Sequence, residues 1–276
     1  MAESRTILVT GCSSGIGYAC AVELRLRGHR VIASARQQVD VDRLVQEGFE
    51  TLRLDLADSD SIRQAVRRLV QISGGKIDAL FNNGAFGQPG AVEDLSRDVL
   101  KFQFETNVFG TQELTNLIIP LMREQGHGRI IYNSSVLGLV AMTYRGAYNA
   151  SKFALEGLAD TLRLELYGSG IHISLIEPGP ILSDFRKNAF ALYKKNIDPS
   201  KSFHRAHYEV MAARLQKPGA AAPFTLPATA VAAKVIHALE AKRPKTRYYV
   251  TFPTYLFGFL KRILPTVWLD YLLRKV

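Results

Sequence analysis

Thr10-Gly-Cys-Ser-Ser-Gly-Ile-Gly17 follows a short apolar run that begins at Ile7 and opens a stretch of helical periodicity, Ile16–Arg27. A strand that turns through glycines straight into a helix aims the helix's free N–H groups and the positive end of its dipole at one point. Gly11 permits the tight turn, Gly15 lets backbone approach a pyrophosphate, and Gly17 allows close contact between helix and strand. The spacing is G-x-x-x-G-x-G rather than the commoner G-x-G-x-x-G. The glycines alone therefore say little, and their place between strand and helix marks the dinucleotide cradle. Ser13, Ser14 and Ile16 lie inside it and join the expected cofactor-binding set.

Outward from this unit the chain keeps one rhythm. Apolar runs at Ile7–Thr10, Val31–Ala35, Thr51–Asp55, Ala79–Asn82, Ile130–Ser134, His172–Glu177 and Arg247–Thr251 are the expected strands. Between them, amphipathic stretches at Ile16–Arg27, Ser61–Ile72, Asp98–Glu124, Ala147–Tyr167 and Ala228–Ala241 are the expected helices. This alternation predicts a parallel sheet covered on both faces, the doubly wound α/β arrangement. No repeat or low-complexity linker divides the 276 residues, so one domain is expected. Leu182–Leu226 breaks the rhythm with scattered basic, aromatic and small residues, as substrate lids do.

The second run ends in Ala35-Arg36. An NAD site usually places an acid there to accept from the ribose hydroxyls. An acid would repel the 2′-phosphate of NADP, whereas a guanidinium grips it with a planar fork of donors. NADP(H) is therefore the expected cofactor.

Tyr148-Asn-Ala-Ser-Lys152 falls in a helical stretch, where residues four apart share a face. A tyrosine with its ordinary pKa near 10 is poorly matched to acid–base work at neutral pH, and an adjacent ammonium is expected to lower it. Tyr148 could then give a proton to a developing alkoxide or take one from an alcohol. Ser134-Ser135 ends a strand just ahead, where a hydroxyl could hold a carbonyl oxygen.

These pieces occur in a fixed order: Thr10-Gly-x-x-x-Gly-Ile-Gly17, Asp55-Leu56, Asn82-Asn-Gly84, Asn107, Ser135, Tyr148-x-x-x-Lys152 and Pro178-Gly179. Together they resemble the short-chain dehydrogenase/reductase family over nearly the whole chain. The resemblance implies a single Rossmann-like domain that interconverts carbonyl and alcohol by hydride transfer. It implies Tyr148 as acid/base, and Lys152 as holder of the nicotinamide ribose and modulator of Tyr148. Ser135 would orient the reacting oxygen, and Asn107 would support a proton relay behind Lys152. Asp55 and Leu56 would border the adenine, and Asn82 and Gly84 would lie near the cofactor. Pro178, Gly179 and Ser183 would pass the nicotinamide. Asn82-Asn83-Gly84-Ala85 reverses the family's usual Asn-Asn-Ala-Gly, so local backbone angles are expected to differ. Ser134-Ser-Val-Leu-Gly138 and Ser174-Leu-Ile-Glu-Pro-Gly-Pro180 carry a finer resemblance, to NADP-dependent aldehyde reductases and to the hydroxysteroid/retinol dehydrogenase branch.

Leu137, Leu139, Met142, Phe185, Phe190 and Leu192 are apolar candidates for a substrate pocket suited to a lipophilic aldehyde or ketone. The segment Phe252–Val276 mixes large apolar residues with cations. It could pack on the domain or another copy, the favoured reading, or lie on a membrane surface. The net charge of +10 comes without zinc-finger spacing or a basic heptad helix, so nucleic acid is not an expected partner. The expected partners are a small carbonyl or alcohol substrate and further copies of the chain. Two cysteines, Cys12 and Cys20, suggest neither a disulfide framework nor a zinc site. His204 and His207, three apart, read as a surface pair, and no metal is expected. No basic-then-apolar leader precedes Ile7, so a cytoplasmic location is expected. A catalytically silent dinucleotide-binding scaffold should have lost part of the Tyr–Lys–Ser set, and here the set is intact.

Overall fold

The computed structural model describes residues 4–275; Met1–Glu3 and Val276, ends of the expected domain and tail, lie outside them. Seven strands form one parallel sheet in the order β3-β2-β1-β4-β5-β6-β7. They are β1 Thr6–Val9, β2 Arg30–Ala35, β3 Glu50–Arg53, β4 Ala79–Asn82, β5 Gly128–Asn133, β6 Ile171–Glu177 and β7 Arg247–Tyr249. Each falls where an apolar run predicts one. Successive side chains of a strand point to opposite faces. Ile7 and Val9 therefore enter one core with α1 (Gly15–Leu26), α2 (Gln38–Gln46) and α9 (Thr229–Glu240). Leu8 enters the other with α3 (Ser59–Ser73), α5 (Thr111–Gln125) and α6 (Gly146–Glu165). Strand order reverses between β1 and β4, and in open α/β sheets ligands bind outside the strand ends at that switch point.

The structure departs from the expected helices in three places. First, α2 has no counterpart in the sequence reading, because its nine residues bury only Val41 and Leu44. Second, Asp98–Glu124 is not one regular helix. α4 (Arg97–Phe104) and α5 are joined by a π-helical turn, Glu105–Gly110, which carries Asn107. The turn ends at a close approach: a Cβ at Gly110 would lie 1.7 Å from the Leu56 carbonyl oxygen, so only glycine fits where the loop after β3 meets the helix. Third, Leu182–Leu226 is ordered. It holds α7 (Phe185–Asn196) and α8 (Arg205–Gln216). Its two ends meet, Leu182 N donating to Leu226 O at 2.9 Å and Leu226 N to Pro180 O at 3.1 Å.

Two further helices, α10 (Phe252–Ile263) and α11 (Thr266–Leu273), close the chain against the turn Val136–Gly138. Among the described residues no helix is long and apolar enough to cross a membrane.

Candidate active site

The ends of β1, β4 and β5 are tied together by side chains. Thr10 Oγ1 accepts from Asn83 N and Gly84 N, each at 2.8 Å. Asn83 Nδ2 donates to Thr10 O at 2.9 Å and Gly11 O at 3.2 Å, and Asn133 Nδ2 donates to Asn83 Oδ1 at 2.9 Å. Sequence reasoning did not single out Thr10, Asn83 or Asn133 for this role; the paired asparagines at a strand end were the available signal. Gly84 lies so near that a Cβ on Gly11 would sit 2.9 Å from its Cα. The reversed Gly84-Ala85 pair fits, because Ala85 has no positive φ and needs no glycine.

Gly11 and Gly15 adopt φ of +70° and +60°, which L side chains avoid. Ser14 precedes α1 without capping it, and the first turn carries no acid. The uncapped N–H groups around Gly15, Ile16 and Gly17 thus remain available to an anion. Ser13 turns its carbonyl away, to accept from Arg43 Nη2 at 2.7 Å. A dinucleotide pyrophosphate fits this cradle.

At the neighbouring strand ends Arg36 is exposed, and Arg53 faces Ala35 across the β2–β3 register. Among the described residues neither guanidinium pairs with a carboxylate, and Arg53 Nε donates to Arg36 O at 3.4 Å, which holds the two arginines at one edge. Asp55 accepts from Ala57 N at 3.0 Å, and Leu56 packs against Gly84. Asn82 turns away from the cradle, its amide donating to Thr115 of α5 at 2.9 Å. A side-chain contact between Asn82 and a cofactor does not follow from this geometry.

Ser135, Tyr148 and Lys152 come together beyond β5. Ser135 Oγ accepts from Leu137 N at 3.1 Å and lies 3.5 Å from Pro178 O. Tyr148 stands in the first turn of α6, four residues after Tyr144, whose φ of +58° is a rare left-handed backbone for a bulky residue. Burial pushes the Tyr148 phenol up to about 12, against the lowering effect of a hydrogen bond with Ser135. Burial pulls Lys152 down to about 8, against the raising effect of Glu156. The expected lowering of Tyr148 by Lys152 is therefore not found in the chain itself. Lys152 Nζ donates to Asn133 O at 2.6 Å and stays 5.5 Å from the tyrosine ring centre, too far to outweigh burial. Asn107 joins the group from the π turn. Its Nδ2 donates to Phe86 O at 2.9 Å and Ser151 Oγ at 3.2 Å, and Ser151 Oγ donates to Tyr148 O at 2.8 Å.

Pro178 and Gly179 follow β6 beside this group, and Gly179 abuts Thr251 too closely for a side chain. Ser183 covers Gly15, whose added Cβ would lie 3.1 Å from the Ser183 Cβ. The Phe185 ring meets Tyr148 edge-on at 5.3 Å. Leu137 and Met142 share the apolar cluster with Tyr148. Leu139 is buried, Phe190 turns to Tyr193 at 6.2 Å, and neither they nor Leu192 joins that cluster. A cleft of about 660 Å³ opens between the Leu182–Leu226 segment and the cradle, lined in part by Gly15, Ser183, Arg186 and Lys187.

Sequence reasoning also missed the charged group behind Lys152. Glu156 and the fully buried Glu177 flank Arg247, at 2.7 and 3.2 Å. Burial, then the charge of Glu156, pushes Glu177 well above the usual carboxylate range. His204 pairs with Glu93 at 2.8 Å. Cys12 and Cys20 are buried free thiols, both pushed up by burial.

The short-chain dehydrogenase family model matches residues 5–194, which span the cradle and the Ser–Tyr–Lys group. The chain is similar to the uncharacterized oxidoreductase YbbO of Escherichia coli (strain K12), 40% identical over 98% of this chain and 94% of that protein. It is also similar to 17-beta-hydroxysteroid dehydrogenase type 1 of Homo sapiens, 33% identical over 89% of this chain and 77% of that protein. Among solved structures it is similar to a variant of actinorhodin polyketide ketoreductase with NADPH, with a TM-score of 0.73 and 26% identity, covering 91% of this chain and 97% of that one. Structures of this fold have been solved with NAD as well as with NADP. With the glycine cradle at the switch point and Ser135, Tyr148 and Lys152 beside it, the chain belongs to the short-chain dehydrogenase family of nicotinamide-dependent oxidoreductases.

Proposed function

We propose that the protein is an NADP(H)-dependent reductase of lipophilic aldehydes or ketones. The observation that carries this reading is the Tyr148 hydroxyl, held beside Ser135 and walled by Leu137, Met142 and Phe185. A carbonyl oxygen placed there meets two hydroxyl donors while its substituents meet apolar side chains. A phenol pushed up to about 12 stays protonated at neutral pH and is still far more acidic than an aliphatic alcohol, so it can give its proton to the carbonyl oxygen as negative charge develops there. Lys152, kept cationic below about pH 8, favours negative charge developing on the reacting oxygen.

A bound nicotinamide would supply the hydride. On the family's pattern the backbone of Gly11–Gly17 would hold the pyrophosphate, with Asp55 and Leu56 at the adenine. Lys152 would hold the ribose hydroxyls, and Pro178, Gly179 and Ser183 would border the nicotinamide. Arg36, with Arg53 at the same edge, supports NADP(H) over NAD(H). A hydroxysteroid or retinol substrate is the second reading, favoured by the likeness to the human hydroxysteroid enzyme.

The test is turnover of a panel of aldehydes, ketones and sterols with NADPH and with NADH. NADPH should give the higher kcat/KM, and Arg36→Asp should reverse the order. Equal use of both cofactors by the native protein would defeat the cofactor reading. A preference for short polar carbonyls would defeat the substrate reading.

A further inference from the structure

We propose that the outer face of the α10–α11 pair docks on an anionic lipid surface, while its inner face packs on the apolar cluster that includes Tyr148. A substrate dissolved in a bilayer would then enter without crossing bulk water. The docking stands independently of the substrate reading above; only the delivery of substrate rests on it.

The two helices have two distinct faces. Inward, Phe257, Leu260, Leu269 and Leu273 pack with Val136, Leu137, Met142 and Tyr148, so this side of the pair backs the apolar cluster at the candidate active site. Outward, Phe252, Leu256, Phe259 and Ile263 follow one another at helical spacing along α10 and are all exposed. The stripe continues into α11 at Val267 and Trp268, exposed to 74% and 66%. It also reaches the Leu182–Leu226 segment, where the exposed Phe224 ring lies 4.8 Å from Phe252. Leu260 and Leu264 are partly buried and Phe257 is buried, so of the large apolar side chains here it is mainly this other set that faces outward. Such a contiguous apolar face on a soluble-sized domain marks an interaction surface.

Charge selects the occupant. From Phe252 onward the described residues carry Arg262, Arg274 and Lys275 against Asp270 alone, a fourth cation, Lys261, reaching instead over the Phe153 ring of α6 at 4.7 Å. A second copy of this chain seated on the face would bring the same cations together, which opposes association. A surface of anionic lipid complements them, and basic helices with Trp and Phe on the apolar face lie in the plane of such a surface. Because no described helix can span a bilayer, the geometry is that of a peripheral contact.

Trp268 is the single tryptophan of the chain and sits in this face, so its emission reports the contact directly. The probe is vesicles of equal parts phosphatidylcholine and phosphatidylglycerol, compared with phosphatidylcholine alone. The native protein should float with the anionic vesicles, with a blue shift of Trp268 emission. It should be released near about 1 M salt, where the screening length is about 3 Å. Arg262→Gln with Arg274→Gln should weaken binding about 25-fold, about fivefold per cation. Phe259→Ser with Val267→Ser should abolish the blue shift while leaving circular dichroism and turnover of a short soluble aldehyde unchanged. Failure of the native protein to float would overturn the proposal, as would flotation of the Ser variant with an undiminished blue shift. A native dimer that sedimentation shows to dissociate in the Ser variant would also overturn it, because the face would then belong to a second copy.

Discussion

Replacing Gly17 with alanine would test whether the cradle depends on backbone contact between α1 and the turn after β1. The added Cβ would lie 2.2 Å from the Gly11 carbonyl oxygen and 2.6 Å from Asn83 Nδ2. Comfortable contact for such atoms begins near about 3.5 Å, so α1 and the turn must part by about 1 Å. Overpacking of this kind costs about 1–3 kcal/mol. The same displacement weakens both Asn83 hydrogen bonds, to Thr10 O and Gly11 O, at about 1 kcal/mol each. The expected loss is therefore about 3–5 kcal/mol, or about 10 °C in Tm for a domain of this size. NADPH affinity should fall at least about tenfold, since the N–H groups that face the pyrophosphate move with the helix. Gly157→Ala is the matched control. Gly157 is exposed inside α6 with nothing within 4 Å, so alanine there should stabilise by about 0.5–1 kcal/mol. Thermal unfolding followed by circular dichroism, with NADPH titration by fluorescence, measures both effects. A Gly17→Ala protein that melts and binds NADPH as the native protein does would refute the reasoning.

Tyr148→Phe should leave NADPH binding nearly intact and lower kcat by about 10²–10⁴, the usual worth of a general acid; stopped-flow turnover beside a binding titration separates the two. For the native protein, kcat/KM in the reductive direction should be level below about pH 8 and decline above it as Lys152 loses its proton, and a profile flat to pH 10 would count against Lys152 as the charge that assists the reaction. Glu177 has a raised pKa, so the stability its protonated form contributes is complete below the ordinary carboxylate range and is lost as pH rises through the raised value. Glu177→Gln fixes a neutral side chain, so the Tm of the variant relative to the native protein should climb between about pH 5 and pH 9, whereas a constant difference would show that Glu177 is ionised throughout.

The five inner strands are legible because they are buried on both faces and the sequence there is apolar almost throughout, whereas the edge strands β3 and β7 carry the polar residues Glu50, Arg53 and Arg247 and are legible from their place in the alternation. α2 escapes notice because its buried residues are two, and Val39 points to solvent. The π turn at Glu105–Gly110 is invisible to periodicity because one extra residue hardly changes the spacing of apolar positions in a long helix. The close approach at its end, the Leu56 carbonyl against Gly110, is a contact between segments more than fifty residues apart. The only local trace is a glycine in mid-helix. Tyr148, Lys152 and Ser135 could be named because they lie near one another along the chain. Glu177 and Arg247 could not, because they reach Glu156 only through the pairing of β6 with β7. The strength of the sequence reading thus tracks how local each constraint is.

The segment between Leu182 and Leu226 leaves and re-enters the domain at a single doorway, where the two residues share a backbone hydrogen bond. Between those ends it is knitted to the body as well: the Tyr208 hydroxyl accepts from Ala91 N and donates to Asp94, Asn196 donates to Gln88, and Tyr193 and Ile197 pack with Ala91, Leu95 and Ala147. The threshold is also where Ser183 lies over Gly15 and Phe185 over Tyr148. A graft cut beyond Phe185 and before Leu226 would keep both contacts, but it would also have to retain Tyr193, Asn196, Ile197, Ser202 and Tyr208, the footings of the segment on Gln88–Leu95 and Ala147. The segment is in effect an awning on fixed posts, in which selectivity can diversify through the exposed side chains of α7 and α8 while the posts and the proton-transfer machinery are inherited together.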